Sequence, residues 1–426
     1  MLIGAPGKPP LELKGLTDTL GMECARIMTL SRIEPNPAYG LGTGKAQEIA
    51  DCAKEIAADC IIFDFDLDPR KQRNWEKLTG INVFDRNEVI IRIFAQRART
   101  KEATLQVELA RLQYSLPRLS HMYGDLARQR GGSYGAKGSG ETQLELDRRQ
   151  IEDKIAQIKK ELEQVQVNRS TQRKQRERTY TASCALVGYT NAGKSSLLNA
   201  LTGADAFVED KLFATLDPTT RKLPLAEGST VLLTDTVGFI SNLPHTLIDS
   251  FKSTLEEARF ANLLLLVVDS SDPECAAQFA QVRKVLEEIG AHEVPFIILL
   301  NKTDRIKDDT VRAAELESIF SDTGACMPPI KVSARTQEGF STLISAVTEQ
   351  LLGSERNFIL PMDRADLVET ARRGGTITSE EWLEKTIRLT ARIPGALSEQ
   401  KDILTGESQL RASTRTLALL LPYLVE

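Results

Sequence analysis

Cysteine and histidine are scarce in this chain. Six cysteines (Cys24, Cys52, Cys60, Cys184, Cys275 and Cys326) lie scattered without a C-x-x-C pair, and the histidines are only His121, His245 and His292. That excludes a zinc module and a disulfide framework, and a reducing cytosol is the expected setting. Long apolar runs are missing as well. The longest, near 263–268 and 296–300, are strand-sized and too short to span a bilayer. Residues Met1–Pro10 hold no apolar signal-peptide segment, so no secretory leader is expected. Nor is there an excess of one charge. The formal net charge is −5, so any contact with nucleic acid must come from a local basic patch. A chain of 426 residues exceeds one ordinary core, which suggests roughly two to four domains.

What is present begins with Gly188-Tyr189-Thr190-Asn191-Ala192-Gly193-Lys194-Ser195. This fits G-x-x-x-x-G-K-[ST], a loop whose backbone N–H groups converge on a nucleotide phosphate. Lys194 is positioned to reach the β- and γ-phosphates, and Ser195 to ligate Mg²⁺. The apolar run Cys184–Val187 before the loop reads as a buried strand. Ser196–Leu201 after it reads as the start of a helix, whose N-terminus also favours phosphate.

Downstream motifs select the nucleotide. Val231–Asp235 reads as a strand leading into Asp235-Thr236-Val237-Gly238, a D-x-x-G in which Asp235 holds Mg²⁺ through water and the Gly238 N–H meets the γ-phosphate. Leu263–Asp269 reads as the next buried strand. Phe296–Leu300 leads into Asn301-Lys302-Thr303-Asp304, an N-K-x-D. An aspartate there accepts two hydrogen bonds from guanine N1–H and N2–H₂. Adenine lacks that donor pair and would leave a carboxylate unpaired. The Lys302 stem lies over the base, and the strand ending at Ser333-Ala334 offers backbone N–H to guanine O6. Each motif falls at the carboxyl end of a strand, where open α/β sheets bind ligands. Between loop and D-x-x-G a threonine is needed to complete the Mg²⁺ shell. Thr215, Thr219 and Thr220 are candidates; Thr215, within Phe213-Ala214-Thr215-Leu216-Asp217, is chosen.

Two residues bear on mechanism. Phe239 follows Gly238, where many GTPases carry a glutamine that orients the attacking water. An apolar ring cannot, so slow intrinsic turnover is expected. Asn191 either bonds its own loop backbone or lends its carbonyl to a monovalent cation such as K⁺ beside the phosphates.

Elsewhere, Leu105, Leu109, Leu112, Leu116 and Leu119 recur at helical spacing, as do Leu144, Ile151, Ile155, Ile158, Leu162 and Val165. Both predict long helices with narrow apolar seams, joined by a glycine-rich basic segment within 122–140. The expectation is an antiparallel hairpin whose tip, with Arg128, Arg130, Tyr134 and Lys137, is either a solvated linker or an RNA contact. Residues before 86 predict a small α/β domain: strands at 60–65 and 81–85, and a helix over 45–57 after the Gly40–Gly44 turn. Asp64, Asp66 and Asp68 read as a solvated loop rather than a metal site. In the tail, Ser379-Glu-Glu-Trp-Leu predicts a capped helix and Ile387–Ile393 a strand.

Phe94–Thr100, Leu105–Leu109, Gly138–Asp147, the phosphate loop at 188–195 and Phe213–Asp217, taken in order, resemble the HflX-type GTPases, of the TRAFAC class of P-loop GTPases. The resemblance covers roughly residues 30–350. It implies an N-terminal nucleotide- or RNA-contacting domain, a helical linker and a GTPase domain. It also implies binding to the large ribosomal subunit and its RNA, in some members splitting stalled ribosomes, and it favours Thr215 as the Mg²⁺ ligand. Gly135–Gly140 departs from relatives, which commonly carry arginine and proline there.

The expected architecture is therefore α/β: an N-terminal α/β domain (1–86), a helical hairpin (87–179), a P-loop GTPase domain (180–352) and a small C-terminal α+β domain (353–426). The expected activity is Mg²⁺-dependent hydrolysis of GTP to GDP by a monomer without membrane contact. The ribosome is the expected partner, with subunit assembly or an RNA scaffold with incidental hydrolysis as alternatives.

Overall fold

The computed structural model describes residues 1–7, 9–34, 36–129, 139–178, 182–203, 211–225, 229–241, 247, 252–306, 310–321, 323–393, 416–417 and 419–425. The centre of the basic glycine-rich segment, with Tyr134 and Lys137, lies outside them. Two compact units form. The first comprises residues 1–168, 209–217 and 242–253, and the second 169–208, 218–241 and 254–426.

The first unit opens with β1 (Leu2–Gly4), α1 (Leu11–Thr19), β2 (Ile27–Thr29), α2 (Thr43–Glu55), β3 (Cys60–Phe63), α3 (Pro69–Thr79), β4 (Asn82–Asp85) and α4 (Arg86–Arg97). The strands pair in parallel in the order β2-β1-β3-β4. Parallel pairing requires crossover helices, and the α-β alternation supplies them. The core gathers Ile3, Phe63, Trp75 and Val83. Start and stop signals are explicit in α3: Asp68 accepts from the Arg70 N–H at 2.8 Å, Pro69 occupies the first turn, and Gly80 ends the helix at φ +74°.

The three aspartates after β3 are structural. Asp64 pairs with Arg86 at 2.7 Å, Asp66 accepts from Asn87 Nδ2 at 2.7 Å, and Asp68 is the cap just described. Among the described residues no group of three or more His, Cys, Asp or Glu is arranged to hold a metal.

Two long helices follow, α5 (Lys101–Gln129) and α6 (Ser139–Arg178). Lys101 pairs with Glu161 at 3.4 Å, and Lys154 with Glu108, so the helices run antiparallel. The buried stripe of α5 differs in part from its leucine repeat. Ala103, Gln106, Val107, Leu109 and Ala110 are buried, while Leu105, Leu112, Leu116 and Leu119 are half-buried. The reason is that α5 also packs against α3 and α4, which claims a second face. Asp85, 1% exposed, fastens that face: it accepts from Arg118 Nη2 at 3.1 Å and from Tyr114 Oη at 2.9 Å. Burial pushes the Asp85 carboxyl up, while the neighbouring N–H groups, Arg118 and Tyr114 hold it down.

In the second unit come β5 (Ser183–Gly188), α7 (Lys194–Thr202), β6 (Thr219–Pro224), β7 (Thr230–Asp235), α8 (Lys252–Arg259, which begins in the first unit), β8 (Leu263–Asp269), α9 (Cys275–Glu288), β9 (Phe296–Asn301), α10 (Thr310–Phe320), β10 (Ile330–Lys331) and α11 (Phe340–Leu352). The sheet order is β10-β9-β8-β5-β7-β6, parallel except for β6, which is antiparallel to β7. Central strands buried on both faces read as unbroken apolar runs, as in Leu263–Val268 and Phe296–Leu300. The carboxyl ends of β5, β7, β8 and β9 deliver Gly188, Asp235, Asp269 and Asn301 to one edge.

The tail contributes β11 (Glu355–Pro361), α12 (Asp366–Gly374), β12 (Thr376–Trp382), β13 (Thr386–Arg392) and β14 (Leu424–Val425), with a sheet ordered β12-β13-β11-β14. Here one expectation is corrected: Ser379–Trp382 is strand, not a helix start. Trp382 pairs opposite Ile387 and Glu381 opposite Arg388, and Leu383 N–H closes the hairpin on Thr386 O at 2.8 Å. A serine followed by glutamates resembles a cap, but no 3.6-residue apolar period follows it, and cross-strand pairing decides. Among the described residues no helix is long and apolar enough to cross a membrane.

Candidate nucleotide site

The phosphate loop turns between β5 and α7. Gly193 sits at φ +95°, and a Cβ there would overlap Asn301 Nδ2. Only glycine meets both demands. Asn191, at φ +60°, is exposed, and its backbone carbonyl accepts from Lys302 Nζ at 2.7 Å. Asparagine is among the few side chains that tolerate that backbone region. Ala192 is buried and Ser196 half-buried beside the loop.

Lys194 is 6% exposed, and its ammonium donates to the carbonyls of Gly188 at 3.1 Å and Tyr189 at 2.7 Å. Burial pulls its pKa down to about 8, Asp235 draws it back up and Lys302 pushes it lower. A cation held with so little water is prepared for an anion. Ser195 Oγ donates to Asp235 Oδ2 at 2.6 Å. A hydroxyl and a carboxylate at hydrogen-bond distance beside the phosphate loop form the hard-oxygen donor set that Mg²⁺ selects, so these residues fit that ion.

D-x-x-G packs directly on the loop. Thr236 Oγ1 donates to Leu186 O at 2.7 Å, and Val237 is buried. A Cβ on Gly238 would stand 2.9 Å from Lys194 Nζ and 2.9 Å from both Cα and Cγ2 of Thr190. Phe239 is 1% exposed; its N–H donates to Gly188 O at 3.1 Å, and its carbonyl accepts the Thr190 N–H at 2.7 Å. Tyr189 Oη accepts the Ser241 N–H at 2.6 Å. The Phe239 ring is thus a packing element and presents no polar group.

N-K-x-D forms the other end. Asn301, 1% exposed, donates from Nδ2 to Ala192 O at 2.8 Å and accepts the Ala334 N–H on Oδ1 at 3.1 Å. One asparagine therefore fastens both the phosphate loop and the end of β10. Lys302, at φ +65°, pairs with Asp269 at 2.7 Å in addition to Asn191 O. Thr303 Oγ1 donates to Val332 O at 3.0 Å, and Ser333 Oγ donates to Asp304 Oδ1 at 2.7 Å. The Asp304 carboxylate is thereby oriented as a fixed acceptor.

Asp269 was not singled out from the sequence, although it stands one strand over in register with Asn301. The available signal was an acid at the end of a buried strand beside the lysine of N-K-x-D. Phe213, Ala214, Thr215, Leu216 and Asp217 belong to the first unit. Phe213 adopts φ +55°, is buried, and meets Phe94 edge-on at 4.7 Å between ring centroids. Asp217 accepts the N–H groups of Arg99 at 3.1 Å and Thr100 at 3.3 Å, and also the Thr100 hydroxyl, just ahead of α5. Leu216 is buried, and Ala214 and Thr215 are half-buried. Thr219 and Thr220 begin β6, Thr220 Oγ1 lying 2.9 Å from Thr234 Oγ1.

Comparison with known proteins places this geometry. Residues 10–95 match the family described as GTP-binding GTPase N-terminal, 97–176 the GTP-binding GTPase Middle Region, and 183–302 the 50S ribosome-binding GTPase. The chain is 46% identical over 396 residues to GTPase HflX of Akkermansia muciniphila, covering 90% of each chain. It is 41% identical over 387 residues to GTPase HflX of Escherichia coli (strain K12), covering 90% of this chain and 89% of that one. Among solved structures it is similar to a GTP-binding protein from the archaeon Sulfolobus solfataricus in complex with GDP, at 27% identity and a TM-score of 0.45, covering 82% of this chain and 97% of that one. With the phosphate loop, D-x-x-G and N-K-x-D brought to one sheet edge, and with relatives this similar over nine-tenths of the chain, the protein belongs to the HflX family of GTPases.

Proposed function

We propose that this chain is a cytosolic, monomeric GTP-switched protein that binds the large ribosomal subunit and hydrolyses GTP slowly, acting in ribosome splitting or rescue. The observation that carries the reading is the assembly of Lys194, the Ser195–Asp235 pair and the Asn301–Asp304 motif along one strand edge. Lys194 neutralises the β- and γ-phosphates, with the Gly238 N–H on the γ-phosphate. Asp304, oriented by Ser333, accepts guanine N1–H and N2–H₂, and the pinned Lys302 stem covers the base. Ser195 and Asp235 hold Mg²⁺, which supplies positive charge against that of the phosphates; Thr215 is the proposed third ligand. Because the buried Phe239 ring gives the attacking water no partner, intrinsic turnover is slow and the ribosome stimulates it. The reading extends to a K⁺ ion at the Asn191 side chain, with faster turnover in K⁺ than in Na⁺.

The match to a 50S ribosome-binding GTPase family supports the choice of partner. The test is co-sedimentation with large subunits and whole ribosomes, comparing a non-hydrolysable GTP analogue with GDP. Pelleting that depends on the analogue, with loss of intact ribosomes, is expected. Equal pelleting with both nucleotides would favour an RNA scaffold, and binding only to precursor particles would favour subunit assembly.

A further inference from the structure

Thr190 carries a polar atom that its surroundings do not use. The residue is 6% exposed, and its Oγ1 is buried without a hydrogen-bond partner among the described residues. A valine would fill the same space without stranding a hydroxyl. Its backbone N–H is already committed to Phe239 O at 2.7 Å, so only the side chain is available to a ligand. Buried polar atoms in folded proteins are almost always satisfied, and one left over at a binding site points to a missing partner.

The position indicates which partner. Thr190 Cα and Cγ2 pack against Gly238, each 2.9 Å from where a Cβ on that glycine would stand, and Lys194 Nζ lies 2.9 Å from the same point. Lys194 and Gly238 are the two groups assigned to the γ-phosphate. The next residue, Phe239, has an apolar, buried side chain and an N–H already given to Gly188 O, so it brings no further donor.

We propose that the Thr190 hydroxyl donates a hydrogen bond to the γ-phosphoryl oxygens of GTP and so helps this protein tell GTP from GDP. The proposal rests on the phosphate-site reading given above. GDP has no group at that place, so the bond is made in one nucleotide state only.

The test uses the full chain and four variants: Thr190→Val, Thr190→Ala, Thr190→Ser and Lys194→Ala. Affinities for GDP and for a non-hydrolysable GTP analogue are measured by titration calorimetry. Thr190→Val should hold GDP within about twofold and lose analogue affinity by about tenfold or more, the weight of a hydrogen bond to a charged group. Thr190→Ser, which keeps the hydroxyl, should retain both affinities. Unchanged analogue affinity in Thr190→Val would overturn the proposal. So would a fall in kcat alone, which would move the hydroxyl to the attacking water. Should Thr190→Val lose GDP as well, the apolar methyl in place of the hydroxyl is at fault, and Thr190→Ala against Thr190→Ser decides: equal analogue affinity in those two overturns it. If wild type binds neither nucleotide, or Lys194→Ala binds both as wild type does, the phosphate-site reading itself fails. If those controls hold, a negative result falls on Thr190 alone.

Discussion

Raising the pH from 7 to 9 should weaken GDP binding about tenfold through one side chain. Lys194 is buried, and in the unliganded protein its pKa is lowered to about 8 from an ordinary 10.5. A bound phosphate favours the charged amine and restores the higher value. Below pH 8 the lysine is protonated with or without nucleotide, and affinity is flat. Above pH 8 the unliganded protein holds a neutral amine, and nucleotide must bring a proton back. At pH 9 roughly nine molecules in ten are neutral, so affinity falls about tenfold, or about 1.4 kcal/mol. Stability of the unliganded protein moves the other way. The unfolded lysine keeps its proton up to its usual 10.5, so between about 8 and 10.5 the unfolded chain binds more protons and stability rises with pH. Titration calorimetry with GDP from pH 7 to 9.5 measures the first trend and denaturant melts the second. Lys194→Met is the reference, because any loss arising from the guanine ring is common to both proteins. Parallel affinity profiles in wild type and Lys194→Met would refute the reasoning.

Three other outcomes are expected. Arg118→Leu removes the guanidinium beside Asp85, which is 1% exposed, and should cost about 3 kcal/mol in a denaturant melt, with Asp85→Asn in the same chain recovering part of the loss. Asp269→Asn releases Lys302 from its 2.7 Å ion pair and should reduce GDP affinity about tenfold with little change in melting temperature. Phe94→Ala strips the ring that meets Phe213 and should destabilise the first unit by about 3 kcal/mol, with faster amide exchange over residues 211–217.

The parallel sheet of the second unit was legible because strands buried on both faces are written as unbroken apolar runs. The nucleotide motifs sit at their ends, and chemistry fixes both spacing and residue type there. Asp304 and Asn301 could be read for that reason. What could not be read depends on neighbours distant in sequence. The Asp269–Lys302 pair needs the register of β8 against β9. The second buried face of α5 needs α3 and α4 packed against it, which a leucine repeat does not record. Ser379–Trp382 carries a helix-cap signature, yet its backbone bonds go to β13, and no local propensity announces that partner. Phe213 and Asp217 read in the sequence only as the segment that carries Thr215. That Phe94 and Thr100 are their packing and hydrogen-bonding partners, more than a hundred residues upstream, is a tertiary fact.

The first unit is assembled from three separate stretches, 1–168, 209–217 and 242–253, so the chain passes between the units five times. The two units therefore interleave along the sequence rather than following one another. A protease that cuts once just after residue 168 severs one of those five passages. Phe94, Arg99 and Thr100 in the 1–168 piece still hold Phe213 and Asp217 by packing and hydrogen bonds, so the nicked halves would part only when the first unit unfolds. The converse holds for residues 180–352 expressed alone, which would keep the phosphate loop but leave Phe213, 2% exposed in the whole chain, without the Phe94 ring that packs against it. Loss of solubility or activity in that fragment would report the missing packing partner of Phe213 and would say nothing against its nucleotide site.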